Sequence, residues 1–237
     1  MKAMILAAGL GTRFKPWTDR HPKALALVNG KSLLERNLEY LQRFGIKDVL
    51  VNVHHFPDQI RDAIIANDGW GSNIQISDES DEVLETGGGL KKAAAYFDED
   101  SFVLMNADIL TDMDLGAMME FHANKNPLAT LAVTKRRSSR YFLFDRNERL
   151  SGWRNTTTGE EKISIPGPAP EEKAFSGIHI ISPDIFPLMR REGKFSIVDV
   201  YLELAASNTI LGFDHSGTKF VDVGRTESVA VAESLFN

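Results

Sequence analysis

Short apolar runs alternate with longer amphipathic segments from residue 2 to residue 134, and that order leaves few folds open. Strands joined by crossover helices lie parallel, and a parallel sheet must be covered on both faces. Runs at 2–8, 48–53, 74–77, 101–106 and 128–134 read as strands. Between them, Ser32-Leu33-Leu34-Glu35 is a capping box that opens a helix closed by Gly45. Further helices are expected from Pro57 to about residue 67, over 87–97, and to about residue 124. From 135 to 172 the pattern changes to hairpin-like pieces ("YFLFDRNERLSGW") and the loop "SIPGPAPEEK". These predict a small antiparallel insertion lying over the sheet edge. A strand at 174–181 follows, then helices over 183–191 and 198–207. A hairpin across His215-Ser216-Gly217 leads into "KFVDVG", and a last helix spans 226–236. The expected architecture is a single α/β domain, Rossmann-like, with a mostly parallel sheet flanked by helices.

The turn after the first strand is where such a sheet would place a ligand, and here it reads "AAGLGTRFKPWTDRHPKAL". It is neither a Walker A loop, for lack of G-x-x-x-x-G-K-[ST], nor a full dinucleotide fingerprint, because Phe14 follows where a third glycine is needed. Gly9-x-Gly11 alone reads equally well as a tight turn. Thr12, Arg13, Lys15 and Lys23 around that bare backbone point to a polyphosphate, which amide N–H groups and fixed cations can grip together. The formal charge of -6 makes such a local cluster necessary for any anion, and argues against a nucleic-acid partner. The chain has no cysteine, so thiol nucleophiles and thiolate metal sites are excluded. No apolar run approaches the roughly 18–20 residues that span a bilayer, and no signal-peptide layout is present, so a cytoplasmic protein without a membrane partner is expected.

The segment "LAAGLGTRFKPWTDRHPKALALVNGKSLLE" closely resembles the signature of the sugar-1-phosphate nucleotidylyltransferases, and the likeness continues through "LETGGGL", "VLMNAD", "FSGIHIIS" and "FVDVG". The resemblance implies the nucleotide-diphospho-sugar transferase fold over residues 1–237, with the nucleotide held by about 1–134 and the sugar phosphate by about 135–237. It implies a nucleoside triphosphate and a sugar-1-phosphate as substrates and Mg²⁺ as cofactor. In that reaction the sugar phosphate attacks the α-phosphorus and expels pyrophosphate. The nucleophile is already anionic, since a phosphate monoester has a second pKa of about 6, so no general base is needed. Arg13 and Lys23 would be the catalytic cations, Arg13 on the leaving pyrophosphate and Lys23 on the attacking phosphate. Leu6, Ala8, Gly9, Gly11, Thr12, Arg13, Glu85, Thr86, Gly87 and Asn106 would contact the nucleotide. Lys23, Asn106, Ser176 and Gly177 would hold the sugar phosphate, and Asp108 and Asp222 the metal. Among the family's branches, the triple glycine and the Ser-Gly-Ile segment look most like uridylyltransferases that act on N-acetylmuramate-1-phosphate.

Two positions depart from the family. Ala107 stands where glycine is common, and Glu172-Lys173 lies too close to Gly177 for the usual Glu-Lys-Pro sugar contacts to be carried over. Guanylyl transfer to mannose-1-phosphate or a heptose phosphate, cytidylyl transfer to phosphocholine, and a non-catalytic nucleotide-sugar-binding subunit are the alternatives. His54-His55 reads as a strand-end pair rather than a metal site, and "KRRSSR" at 135–140 as a solvated turn. Nothing in the sequence specifies an oligomeric state.

Overall fold

The computed structural model describes residues 1–97 and 100–236. The chain opens with β1 (Ala3–Leu6) and a two-residue pair, β2 (Leu27–Val28) and β3 (Lys31–Ser32), before α1 (Leu33–Arg43). Then come β4 (Asp48–Val53), α2 (Pro57–Ala66), β5 (Asn73–Asp78), α3 (Glu85–Lys92), β6 (Phe102–Asn106), β7 (Ile109–Thr111), α4 (Leu115–Lys125) and β8 (Ala129–Thr134). The second half holds β9 (Arg140–Phe144), β10 (Leu150–Asn155), β11 (Glu161–Ile163), the long β12 (Glu171–Ile181), α5 (Ile197–Leu204), β13 (Ile210–Asp214), β14 (Phe220–Asp222) and α6 (Glu227–Leu235). The capping signal at Ser32 acts as the sequence predicts, with Ser32 Oγ accepting the Glu35 N–H at 3.0 Å; Asp114 also caps α4, its Oδ1 accepting the Ala117 N–H at 3.0 Å.

β1 is central, with β4 and β6 parallel on either side and β5 parallel beyond β4. Period-2 alternation sorts the strand residues onto two faces. Met4, Leu50 and Leu104 pack with Leu90 of α3 and Val200 and Tyr201 of α5. Ile5, Val51 and Met105 pack with Leu38 of α1, Ile60 of α2 and Met118 of α4. β12 then joins antiparallel to β6 and β8, with β13 parallel to β8, so the sheet is mixed and mainly parallel.

Three expectations are corrected. The insertion does not lie over the sheet edge; it prolongs the sheet, because β12 begins at Glu171 and its first residues pair with β9 while its last pair with β6 and β8. The stretch after Ser182 is a 3₁₀ turn, Pro183–Leu188, because Pro187 has no N–H for an α-helical bond. The turn at His215 exists, with the Thr218 N–H donating to the His215 carbonyl at 3.2 Å, but its flanking strands do not pair. β13 stays with β8, whereas β14 crosses to β7 and forms a separate two-stranded ribbon.

Candidate active site

Parallel sheets place ligands beyond the carboxyl ends of their strands. Here Leu6 of β1 registers with Asn52 of β4 and Asn106 of β6, and a cavity of about 470 Å³ opens just past these three residues. Its walls include Leu6, Ala8, Gly9, Gly11, Thr12, Arg13 and Lys23 from the first strand and loop. Asn106 and Asp108 come from the end of β6, and Glu85 and Thr86 from the start of α3. The structure thus brings together most of the residues singled out in the sequence. Gly11 has φ +60°, and a Cβ there would stand 2.8 Å from the Thr18 methyl group and 3.2 Å from Lys23 Cβ, so both backbone and packing require glycine.

The β7–β14 ribbon unites the two aspartates. Asp222 registers with Ile109, and the Val223 N–H donates to the Asp108 carbonyl at 2.8 Å. Val221 and Val223 point inward and are buried, which leaves Asp222 exposed on the opposite face. Surrounding protein still removes enough water from its carboxylate to raise the pKa, and the negative charge of Asp108 adds to that; Lys23, Arg13 and Arg136 pull the other way. Asp108 forms an ion pair with Lys23. Gly224 leaves room where Asp222 and Arg13 approach, since a Cβ there would be 2.7 Å from Asp222 Oδ1 and 3.3 Å from the Arg13 guanidinium. Asp108 lines the cavity and Asp222 lies within electrostatic reach of it; two hard carboxylate donors so placed fit Mg²⁺, which takes one or two protein carboxylates and fills its remaining positions with phosphate oxygens and water. Asp112 and Asp114 are engaged elsewhere, accepting the Lys219 and Ala117 N–H groups.

Other expected residues are placed differently. Gly87 does not line the cavity; its N–H donates to the Phe195 carbonyl at 2.9 Å, and a Cβ would stand 2.5 Å from the Phe195 ring. The glycine run therefore lets residues 193–195 approach α3. Thr86 Oγ1 accepts the Ile197 N–H at 3.0 Å, and Glu85, at φ +60°, faces Lys194 at 3.7 Å. Ser176 is 0% exposed and hydrogen-bonded to His215 Nε2 at 2.8 Å, so its hydroxyl faces the interior and not the cleft. Gly177, at φ +73°, lies against Asn106.

Lys173 is 1% exposed and paired with Glu148 at 2.7 Å, with Asp214 and Glu171 at 3.4 and 3.5 Å. His54 and His55 donate to the carbonyls of Glu79 and Thr18. Among the described residues no group of three or more metal-ligating side chains gathers. The turn "KRRSSR" is not solvated throughout. Arg136 folds inward, donates to the Phe175 carbonyl at 2.7 Å and lies 4.9 Å from the Phe220 ring centroid. Sequence reasoning also missed Asn52, Val83 and Ser196 in the cavity wall. None of the three belongs to a motif; only the strand-end position of Asn52 could have marked it.

A family model described as Nucleotidyl transferase matches residues 2–235. The N-acetylmuramate alpha-1-phosphate uridylyltransferase of Caulobacter vibrioides is 32% identical, covering 98% of this chain and 95% of its own. The D-glycero-alpha-D-manno-heptose 1-phosphate guanylyltransferase of Campylobacter jejuni is also 32% identical, with 96% of each chain covered. Among solved structures, HddC from Yersinia pseudotuberculosis complexed with GMP-PN has a TM-score of 0.81 at 23% identity, covering 100% of this chain and 99% of that one, a likeness of fold alone. The cleft, its cations and paired aspartates, and matches running almost end to end agree that this chain belongs to the nucleotidyl transferase family, among the enzymes that join a nucleotide to a sugar 1-phosphate.

Proposed function

We propose that the chain transfers UMP from UTP to N-acetylmuramate-1-phosphate and releases pyrophosphate, in the cytoplasm, where nucleoside triphosphates are made. The carrying observation is that Arg13, Lys23 and Asp108 line one cavity, with Asp222 beside Arg13 and within electrostatic reach of Asp108. UTP and this acceptor rest on the likeness to the Caulobacter protein over nearly the whole of both chains. Arg13 binds the β- and γ-phosphates and stabilises the departing pyrophosphate. Lys23, freed from Asp108, holds the acceptor phosphate against the α-phosphate. One acceptor oxygen bonds to the α-phosphorus as the bond to the β-phosphate oxygen breaks. Two anions are brought together here, so most of the acceleration comes from positioning and charge neutralisation. Asp108 and Asp222 would hold Mg²⁺, which supplies further neutralisation of the phosphates when bound.

Glu85, Thr86 and the backbone around them hold the base, and Asn106 with Gly177 faces the acceptor. The segment of about 1–134 serves mainly the nucleotide and that of about 135–237 mainly the acceptor, with Lys23 and Asn106 reaching across from the first part. Ser176 supports that side from the interior, through His215. A second reading, guanylyl transfer to a heptose phosphate, has support in the equal identity of the Campylobacter protein. Pyrophosphate release measured with UTP, GTP, CTP and dTTP against a panel of sugar phosphates decides between them. UTP with N-acetylmuramate-1-phosphate is expected to give the highest kcat/KM. A best rate with GTP and a heptose phosphate would replace the first reading with the second.

A further inference from the structure

Beneath the nucleotide side of the cleft lies a buried polar chain that no step of the reaction uses. Asn52, 2% exposed, accepts the Ala7 N–H on Oδ1 at 2.7 Å and donates from Nδ2 to Glu79 Oε1 at 2.7 Å. Glu79, 1% exposed, accepts the Leu84 N–H on Oε2 at 3.3 Å. The partners of this carboxylate are an amide and a backbone N–H rather than a cation. Burying a carboxylate on neutral partners is costly, and a chain that only needed to pack would place an apolar side chain here. The two ends of the network identify its purpose. Ala7 continues β1 into the phosphate-binding loop, and Leu84 is the N-cap of α3, immediately before Glu85 and Thr86 in the cavity wall. No side chain of its own caps that helix start. Gly89 leaves the carboxylate its space, since a Cβ there would stand 2.6 Å from Glu79 Oε1 and 3.0 Å from Asn52 Nδ2.

We propose that Asn52 and Glu79 are positioning residues that set the distance and orientation between the phosphate loop and the base-facing segment 83–86, and so fix nucleotide affinity and discrimination. The inference rests on the reading of this cleft as the nucleotide site. Hydrogen-bond polarity makes the bracket testable by reversal. In Glu79→Gln the new amide Nε2 faces the Leu84 N–H, donor against donor, and that link is lost. In Asn52→Asp two carboxylates oppose each other. In the double variant Asn52→Asp/Glu79→Gln every link returns, with the direction between the two side chains reversed. The new carboxylate at position 52 accepts from the Ala7 N–H and from the new amide at position 79, whose oxygen accepts from the Leu84 N–H.

Nucleotide Kd for UTP, GTP, CTP and dTTP with Mg²⁺ is measured by calorimetry, together with kcat and both KM values for the wild type's best substrate pair. Each single variant is expected to weaken the preferred nucleotide at least about tenfold and to narrow its advantage over the other three. Acceptor KM and kcat should stay within about threefold, and the double variant should return to wild-type affinity. Gly89→Ala should reproduce the Glu79→Gln defect although alanine is the better helix former. Unchanged nucleotide Kd in Glu79→Gln, or no recovery in the double variant, overturns the proposal. If a single variant does not fold, the double variant decides: wild-type binding supports the bracket, and failure sinks it. A wild type that prefers GTP overturns the uridylyl reading and leaves the bracket standing or falling on its own data.

Discussion

Asp222 lies where burial and Asp108 raise its pKa, and this gives its replacement two opposite effects. A carboxyl that holds its proton more tightly in the folded chain adds stability below the ordinary carboxylate range and loses that contribution as the pH rises through its folded pKa. Its pKa is raised by desolvation and by Asp108, so the charged form is unfavourable in the metal-free protein. Asp222→Asn should therefore raise the melting temperature of metal-free protein at pH 7 slightly, while turnover falls at least about 10²-fold and recovers partly at high Mg²⁺. Unchanged turnover at low Mg²⁺ would remove Asp222 from the metal site. At this scale the sequence was informative where the chemistry sits in a contiguous motif, as with Arg13 and Lys23 in the first loop and Asp108 after β6. It misled at Ser176 because a motif match does not say which way a side chain turns, and the register shift in β12 between Phe175 and His179 leaves this hydroxyl bonded to His215 in the interior. It misled at Gly87 because a bare backbone does not reveal which distant segment approaches it, here Phe195.

The elements were legible where cap and apolar period agreed, as for α1, but strand partners were not. The apolar pattern of β14 marks it as a strand and says nothing of β7, on which the proposed metal site depends. Gly177 shows what the register shift accomplishes. Its φ of +73° turns the chain so that backbone lies against Asn106, and a Cβ would come within 2.8 Å of Asn106 Nδ2 and 2.9 Å of Ile109 Cγ1. Gly177→Ala is expected to lower the unfolding free energy by at least about 1 kcal/mol and to raise the acceptor KM, with nucleotide Kd unchanged. Urea titration and steady-state kinetics check both, and an unaltered acceptor KM would detach this bulge from acceptor binding.

Over the whole molecule, three buried histidines govern the response to acid. His122, His179 and His215 are held neutral, and burial lowers their pKa values to about 4, 3 and 4. Each bonds to hydroxyls, of Ser101 and Thr130, of Tyr201, and of Thr218 and Ser176 respectively. A histidine with a depressed folded pKa contributes stability above its unfolded value of about 6.5, and that contribution is lost as the pH falls below it. Between pH 7 and pH 5 the three together could withdraw up to about 5 kcal/mol, a large share of what holds a domain folded. Urea midpoints at those two pH values should differ markedly, and equal midpoints would show that the histidines titrate normally.

β12 also has a consequence for how such a chain can change. Thr134, the last residue of β8, registers with Ala174 in β12, so the excursion between them leaves and re-enters the sheet across a single rung. A tight turn could close that rung, which makes the intervening stretch a cassette. Its outer turns can be lengthened or exchanged without re-threading the strands on which Arg13, Asp108 and Asp222 depend, so long as Phe142, Phe144 and Leu150 keep their place in the core and Arg136 its place against Phe220.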